Sequence, residues 1–122
     1  MFFSFHFSSA EQFFGGFYNA GVRTVDALPQ GQWVHLVWTR QGGGDSQTGS
    51  ILYVNGQAVA QTVATDLCCN PQIPNVGSAA FRINRARDHT RYFVGQLDEV
   101  ALYDYVLTPG QVVEHYEALG ID

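Results

Sequence analysis

Arg82, Arg85, Arg87 and Arg91 stand with Asp88 and His89 in one short stretch, and they are most of the chain's 6 basic residues, every one of them arginine. A guanidinium presents a planar fork of donors that holds carboxylates, sulfates and paired hydroxyls bidentately. Such a cluster on a loop suits an anionic or uronic sugar, which makes Arg85, Arg87, His89 and Arg91 the candidate ligand-binding residues. The plainer reading is a solvated loop whose arginines pair internally with Asp88.

Hydrolysis of a glycan asks for different equipment: two carboxyl groups about 5–5.5 Å or about 6.5–9.5 Å apart across a cleft. Asp98 and Glu99 are neighbours in a stretch patterned as a strand, which would point them to opposite faces. Glu114 and Glu117 fall one turn apart on an expected C-terminal helix, where a solvated surface is the simpler account. His35, among tryptophans, reads as a hydrogen-bonded core histidine rather than a ligand. His6, His89 and His115 show no metal-pair spacing. No serine sits in a nucleophile-elbow sequence and no Cys–His constellation is visible. Gly42-Gly43-Gly44 lacks the lysine and helix start of a phosphate-cradling loop. The expectation is a domain with no catalytic residues, not an enzyme.

Cys68 and Cys69 are adjacent. Ordinary disulfides join α-carbons about 4.4–6.8 Å apart, so two thiols or a partner-linked pair is the simpler reading and a vicinal disulfide the alternative. With no other cysteine and no nearby histidine they make no zinc site.

The formal net charge of -5 argues against nucleic acid as partner, because binding phosphate requires cations to displace counterions. No apolar run approaches the ~20 residues that cross a bilayer, so membrane insertion is not expected. Few charges, many aromatics and 13 glycines suit short strands joined by tight turns.

The elements that would position these residues follow from local patterning. Phe3, Phe5 and Phe7 alternate with Ser4 and His6, a strand rather than a signal sequence. Gly15-Gly16 is expected to interrupt the next stretch, and 21–25 to resume as a strand. From Trp33 to Arg40 both alternating faces are apolar, with Val34, Leu36 and Trp38 on one and His35, Val37 and Thr39 on the other, as in a central strand of a sandwich. Asn55-Gly56 between 50–54 and 57–63 predicts a hairpin, since a type I′ turn needs positive φ at both central residues. A short strand is expected over 79–83 and a long or bent strand over 91–103. Thr108-Pro109-Gly110-Gln111 reads as a capping box with proline at the first helical position. Val112, Val113, Tyr116 and Leu119 then recur at helical spacing, and Gly120 stops the helix, which would pack on the edge of the sandwich.

From Gly31 to Leu119 these pieces, in order, resemble the laminin-G-like members of the concanavalin A-like lectin/glucanase superfamily. Trp33-Val34-His35-Leu36-Val37 resembles the family's tryptophan-x-histidine strand, and Leu52-Tyr53-Val54-Asn55-Gly56 its hairpin. Phe81-Arg82-Ile83-Asn84-Arg85 stands where members often carry isoleucine-glycine-arginine, with Asn84 departing from that pattern. Gly95-Gln96-Leu97-Asp98-Glu99-Val100 resembles its aspartate-glutamate strand, and Leu107 to Val112 the small helix that follows. The resemblance implies an all-β fold: a two-sheet antiparallel jelly-roll sandwich with one short C-terminal helix, of roughly eight or nine strands. It implies a single domain over 1–122. Members carry further strands before the tryptophan-histidine strand, which raises the expectation that N-terminal strands of the domain lie outside these residues.

In several relatives an acidic residue of the aspartate-glutamate strand helps hold a structural calcium. The resemblance therefore makes Asp98 the candidate metal ligand and calcium the candidate cofactor, a structural hydrogen-bonding role being the alternative. Calcium takes six to eight oxygens, so other groups would have to join it. The function implied is a non-catalytic carbohydrate- or ligand-binding module of a larger extracellular or cell-surface protein, with a polysaccharide or glycoconjugate as partner. The alternative is an architectural or protein-interaction module that contacts neighbouring domains without glycan specificity.

Overall fold

The computed structural model describes residues 3–7, 11–17, 20–42, 49–64 and 94–121. Its strands are β1 (Phe3–Phe7), β2 (Phe13–Phe17), β3 (Ala20–Thr24), β4 (Leu36–Arg40), β5 (Ser50–Val54), β6 (Gln57–Ala58) and β7 (Gln61–Ala64), and α1 (Pro109–Leu119) closes the chain. They form a four-stranded sheet in the order β1-β2-β3-β7 and a three-stranded sheet in the order β4-β5-β6. Every pairing is antiparallel. The predicted sandwich of two antiparallel sheets with one C-terminal helix is what the chain forms.

Two apolar clusters hold the layers together. Phe13, Val22, Leu28 and Leu52 are buried between the sheets, with Leu36, Trp38, Val54 and Val59 packed against them. Tyr53, Leu107 and Val112 form the second, with Val37 against it. Leu36 and Trp38 therefore serve one cluster and Val37 the other, so β4 has an apolar role on both faces, as its sequence predicts. The strand itself begins at Leu36, later than Trp33, and Trp33 is half exposed.

The Asn55-Gly56 hairpin forms with φ of 50° and 81°. Its second arm departs from expectation. Residues 57–63 do not make one strand: β6 pairs with β5, and after Val59-Ala60 the chain crosses to pair β7 with β3. The crossing is pinned on both sides, since Val59 N donates to Leu52 O (3.1 Å) and Val25 N donates to Ala60 O (3.0 Å). Strands that switch sheets in this way form the corners of a sandwich. Beyond the end of β6, Gln61 takes over as a partner for β5. Its Nε2 donates to Ser50 O at 2.9 Å and its Oε1 accepts from Leu52 N at 3.0 Å, so the side-chain amide stands in for a strand.

Gly15 and Gly16 do not interrupt β2; they lie inside it, paired to β1 and β3. A β-carbon at Gly15 would stand 2.7 Å from the Trp38 ring, and one at Gly21 would stand 2.6 Å from the Phe14 ring. The glycines are there for close approach of aromatic rings to backbone.

Helix α1 begins as its sequence predicts. Gln111 N donates to Thr108 Oγ1 (3.2 Å) and Thr108 N donates to Gln111 Oε1 (2.9 Å), the two bonds of a capping box. Gly120 ends it in the left-handed conformation, its N–H donating to Glu117 O. Val112, fully buried, anchors the helix by packing with Tyr53 and Val37 on the face of the three-stranded sheet turned away from the inter-sheet cluster. With α1 beside β6, the helix covers a face rather than the expected edge of the sandwich.

The second departure concerns residues 94–106. The expected strand over 91–103 does not form in its described part, residues 94–103, and the stretch is exposed throughout. Asp98 Oδ1 accepts from Glu99 N at 2.8 Å, and Glu99 adopts a left-handed φ of 52°. A short polar side chain that captures the next backbone N–H offers the chain an alternative to ladder pairing, and a left-handed residue breaks the pleat. The expected strand over 79–83 lies outside the described residues.

Candidate functional site

Arg85, Arg87, His89 and Arg91, the candidate ligand-binding residues, lie outside the described residues, as do Cys68 and Cys69. Asp98 is described and exposed, and its carboxylate is engaged locally with the Glu99 amide. Because this stretch is not a strand, the alternation that would have sent Asp98 and Glu99 to opposite faces does not apply. Among the described residues no group of three or more His, Cys, Asp or Glu gathers as a metal site. Further oxygens for a calcium at Asp98 would come from backbone carbonyls, water or residues beyond those described.

What the fold does bring together is a set of rings around α1. Asn55 fixes the first of them. Its backbone N–H donates to His35 O (2.8 Å), and its Oδ1 accepts from His35 N (2.9 Å), so the hairpin turn holds the residue that leads into β4 from both sides. The His35 ring stacks on Tyr116, with centroids 6.1 Å apart. Tyr116 also covers the turn, lying within 3.1 Å of where a Gly56 β-carbon would be. His35 is half-buried, and its Nδ1 is buried with no hydrogen-bond partner among the described residues. The expected hydrogen-bonded core histidine is thus bonded through its backbone, while its ring is held by stacking. Burial away from water lowers the His35 pKa from its ordinary 6.5, and the nearby His115 lowers it further.

A second group of rings lies at the start of the helix. Tyr103 meets Tyr105 edge to face at 5.6 Å and His115 at 5.7 Å. Both tyrosines remain about half exposed. The pairing of Tyr103 with Tyr105 forms across a bend at residues 104–105 and has no signature in strand alternation. The contribution of His115 comes from the angle at which α1 docks and has no signature in the sequence.

A small cleft opens beside the first apolar cluster, lined by Thr24, Asp26, Leu28, Pro29, Val54 and Val59. Its buried polar group is Thr24, whose Oγ1 accepts from Phe13 N (3.0 Å) and donates to Asp26 O (2.9 Å). These bonds tie β2 to the end of β3, a structural task.

Two antiparallel sheets enclosing an apolar cluster, with a short helix packed against the three-stranded sheet, define a β-sandwich of the lectin kind. The chain belongs to the laminin-G-type family of the concanavalin A-like lectin/glucanases superfamily, which matches residues 2–113. The match takes in the opening strands as well as the pieces from Gly31 onward that carried the resemblance. No curated protein matches the chain, and no solved structure does. Among the described residues no helix is long and apolar enough to cross a membrane.

Proposed function

We propose that this domain is a non-catalytic carbohydrate-recognition module of a larger extracellular or cell-surface protein. Membership of a lectin/glucanase superfamily over residues 2–113 carries the reading. Guanidinium forks hold carboxylates and sulfates bidentately, so the arginine stretch with Arg85, Arg87, His89 and Arg91 is the contact to an anionic polysaccharide or glycoconjugate. Asp98, placed on an exposed segment, is the residue that would contribute to a structural calcium.

A second reading has its own support. Val94 and Leu102 are 94% and 69% exposed, and seven large apolar side chains between Val94 and Val106 face solvent. An exposed apolar stretch of this kind also suits contact with a neighbouring domain. Depletion of the folded domain from solution by an immobilised anionic polysaccharide separates the two. Retention of the wild type with loss in an Arg85→Ala/Arg87→Ala variant is the expected result. Equal retention of both proteins removes the arginines from the site, and no retention of either favours the protein-interaction reading.

A further inference from the structure

Asn55-Gly56 carries a chemistry that its turn does not use. An asparagine followed by glycine can close on itself, because the glycine amide nitrogen reaches the asparagine Cγ with no β-carbon in the way. In the folded domain two contacts stand against this reaction. Asn55 Oδ1 accepts from His35 N at 2.9 Å, which holds the side-chain amide toward the residue that leads into β4. Gly56 is buried, and three side-chain atoms of Tyr116 lie between 3.1 and 3.3 Å from where its β-carbon would stand.

The cover is the less secure of the two. Helix α1 has 11 residues, of which Val112 is buried, and a helix shorter than about 12–15 residues does not hold by itself in water. Its last turn carries Glu117 and no basic residue, a charge set against the helix dipole. An element with few buried contacts opens ahead of the whole fold. The His35 ring, stacked on Tyr116 at 6.1 Å, loses its neighbour in the same event.

We propose that Asn55 is a covalent modification site latched by α1: it deamidates when Tyr116 lifts from the Asn55-Gly56 turn, and the product keeps the helix from returning. Hydroxide from solvent takes the proton from Gly56 N. The bond from that nitrogen to Asn55 Cγ forms, the Cγ–Nδ2 bond breaks, and Nδ2 leaves as ammonia with a proton returned by water. Water then opens the cyclic imide, and nothing is oxidised or reduced. Opening at Cγ leaves aspartate, and opening at the main-chain carbonyl leaves isoaspartate.

Isoaspartate routes the main chain through Cβ and lengthens a two-residue turn by one atom. The Val54–Gln57 register and the Asn55 N–H bond to His35 O at 2.8 Å depend on the shorter path. With them goes the surface on which Tyr116 rests. A transient opening thereby becomes a lasting one, and it bares Tyr53 and Val37, against which Val112 packs.

Incubation in mildly alkaline buffer tests this, with mass spectrometry of the Asn55 peptide and an isoaspartyl methyltransferase to count isoaspartate. Folded wild type, Tyr116→Ala and Thr108→Ala are compared with the wild-type chain in urea. Tyr116→Ala removes the cover, whereas Thr108→Ala keeps it and loosens the helix by taking away its cap. Reaction should be fastest in urea, and each variant should react about tenfold faster than the folded wild type. The Leu52 amide in β5 should keep its exchange protection in both variants, and the isolated isoaspartyl protein should lose protection over α1. Two variants that react at the wild-type rate overturn the latch, as does a folded wild type that reacts as fast as the chain in urea. Acceleration that comes with lost protection at Leu52 assigns the reaction to global unfolding and overturns it too. A chain in urea that leaves Asn55 intact removes the site altogether.

Discussion

Gly15 lies directly beneath the indole of Trp38, so close that a β-carbon would stand 2.7 Å from two ring atoms and 3.2 Å from Leu52. One glycine in the four-stranded sheet thereby sets how near the three-stranded sheet can come. Trp38 is held in place from its other end, where Nε1 donates to Ser50 Oγ at 3.2 Å.

Gly15→Ala is predicted to destabilise the domain by about 1–3 kcal/mol, the usual penalty for overpacking, even though alanine loses less backbone entropy on folding. Urea denaturation of the two proteins measures it. A variant as stable as the wild type would show that the sheets can separate without loss.

Asn55 does two separable things. Asn55→Gly retains the left-handed turn and removes the Oδ1 bond to His35, for a loss of about 0.5–1.5 kcal/mol. Asn55→Ala removes the bond and also forces a β-carbon residue without a local partner into positive φ, adding about 1–2 kcal/mol. Thermal melts should rank wild type above glycine above alanine. The reverse order of the two variants contradicts this division of roles.

Gln61→Ala leaves Ser50 O and Leu52 N without the amide that completes the edge of β5, where the two bonds are worth about 0.5–1.5 kcal/mol each. Hydrogen exchange at the Leu52 amide should quicken in the variant. Unchanged protection there would mean that the side chain is dispensable to the strand.

The pH dependence of stability follows from His35. Its folded-state pKa lies below 6.5, so between those two values the unfolded chain binds the proton more readily than the folded one. Stability is therefore fully present above 6.5 and declines as pH falls toward the folded-state pKa. Melting temperature should drop across that interval in the wild type and drop less in His35→Gln. A wild-type protein that gains stability on acidification through the same interval would reverse the sign and exclude burial as the cause.

The parts legible in the sequence are those whose causes are local. The Asn55-Gly56 turn demands positive φ from two residues side by side, and the Thr108–Gln111 capping box closes within one helical turn, so both could be read without knowing the fold. The sheet switch at Val59-Ala60 could not, because it depends on hydrogen bonds to Leu52 and Val25 that no local sequence pattern encodes. Gly15-Gly16 looked like a break because glycine weakens a strand, yet the indole above Gly15 requires the missing side chain. Residues 94–103 carry strand alternation, but local capture of the Glu99 amide by Asp98 and the left-handed Glu99 prevail. The arginine stretch is legible as composition, though its residues lie outside those described, whereas the meeting of His115 with Tyr103 depends on helix docking.

Screening the folded domain against an array of neutral, anionic and amino-bearing glycans, once with calcium and once with chelator, tests glycan recognition most directly. The predicted result is saturable binding to a defined glycan class, diminished by chelator if Asp98 contributes to a calcium that shapes the site. Silence under both conditions, from protein that still melts cooperatively, would contradict glycan recognition and leave the exposed apolar stretch from Val94 to Val106 as the functional surface.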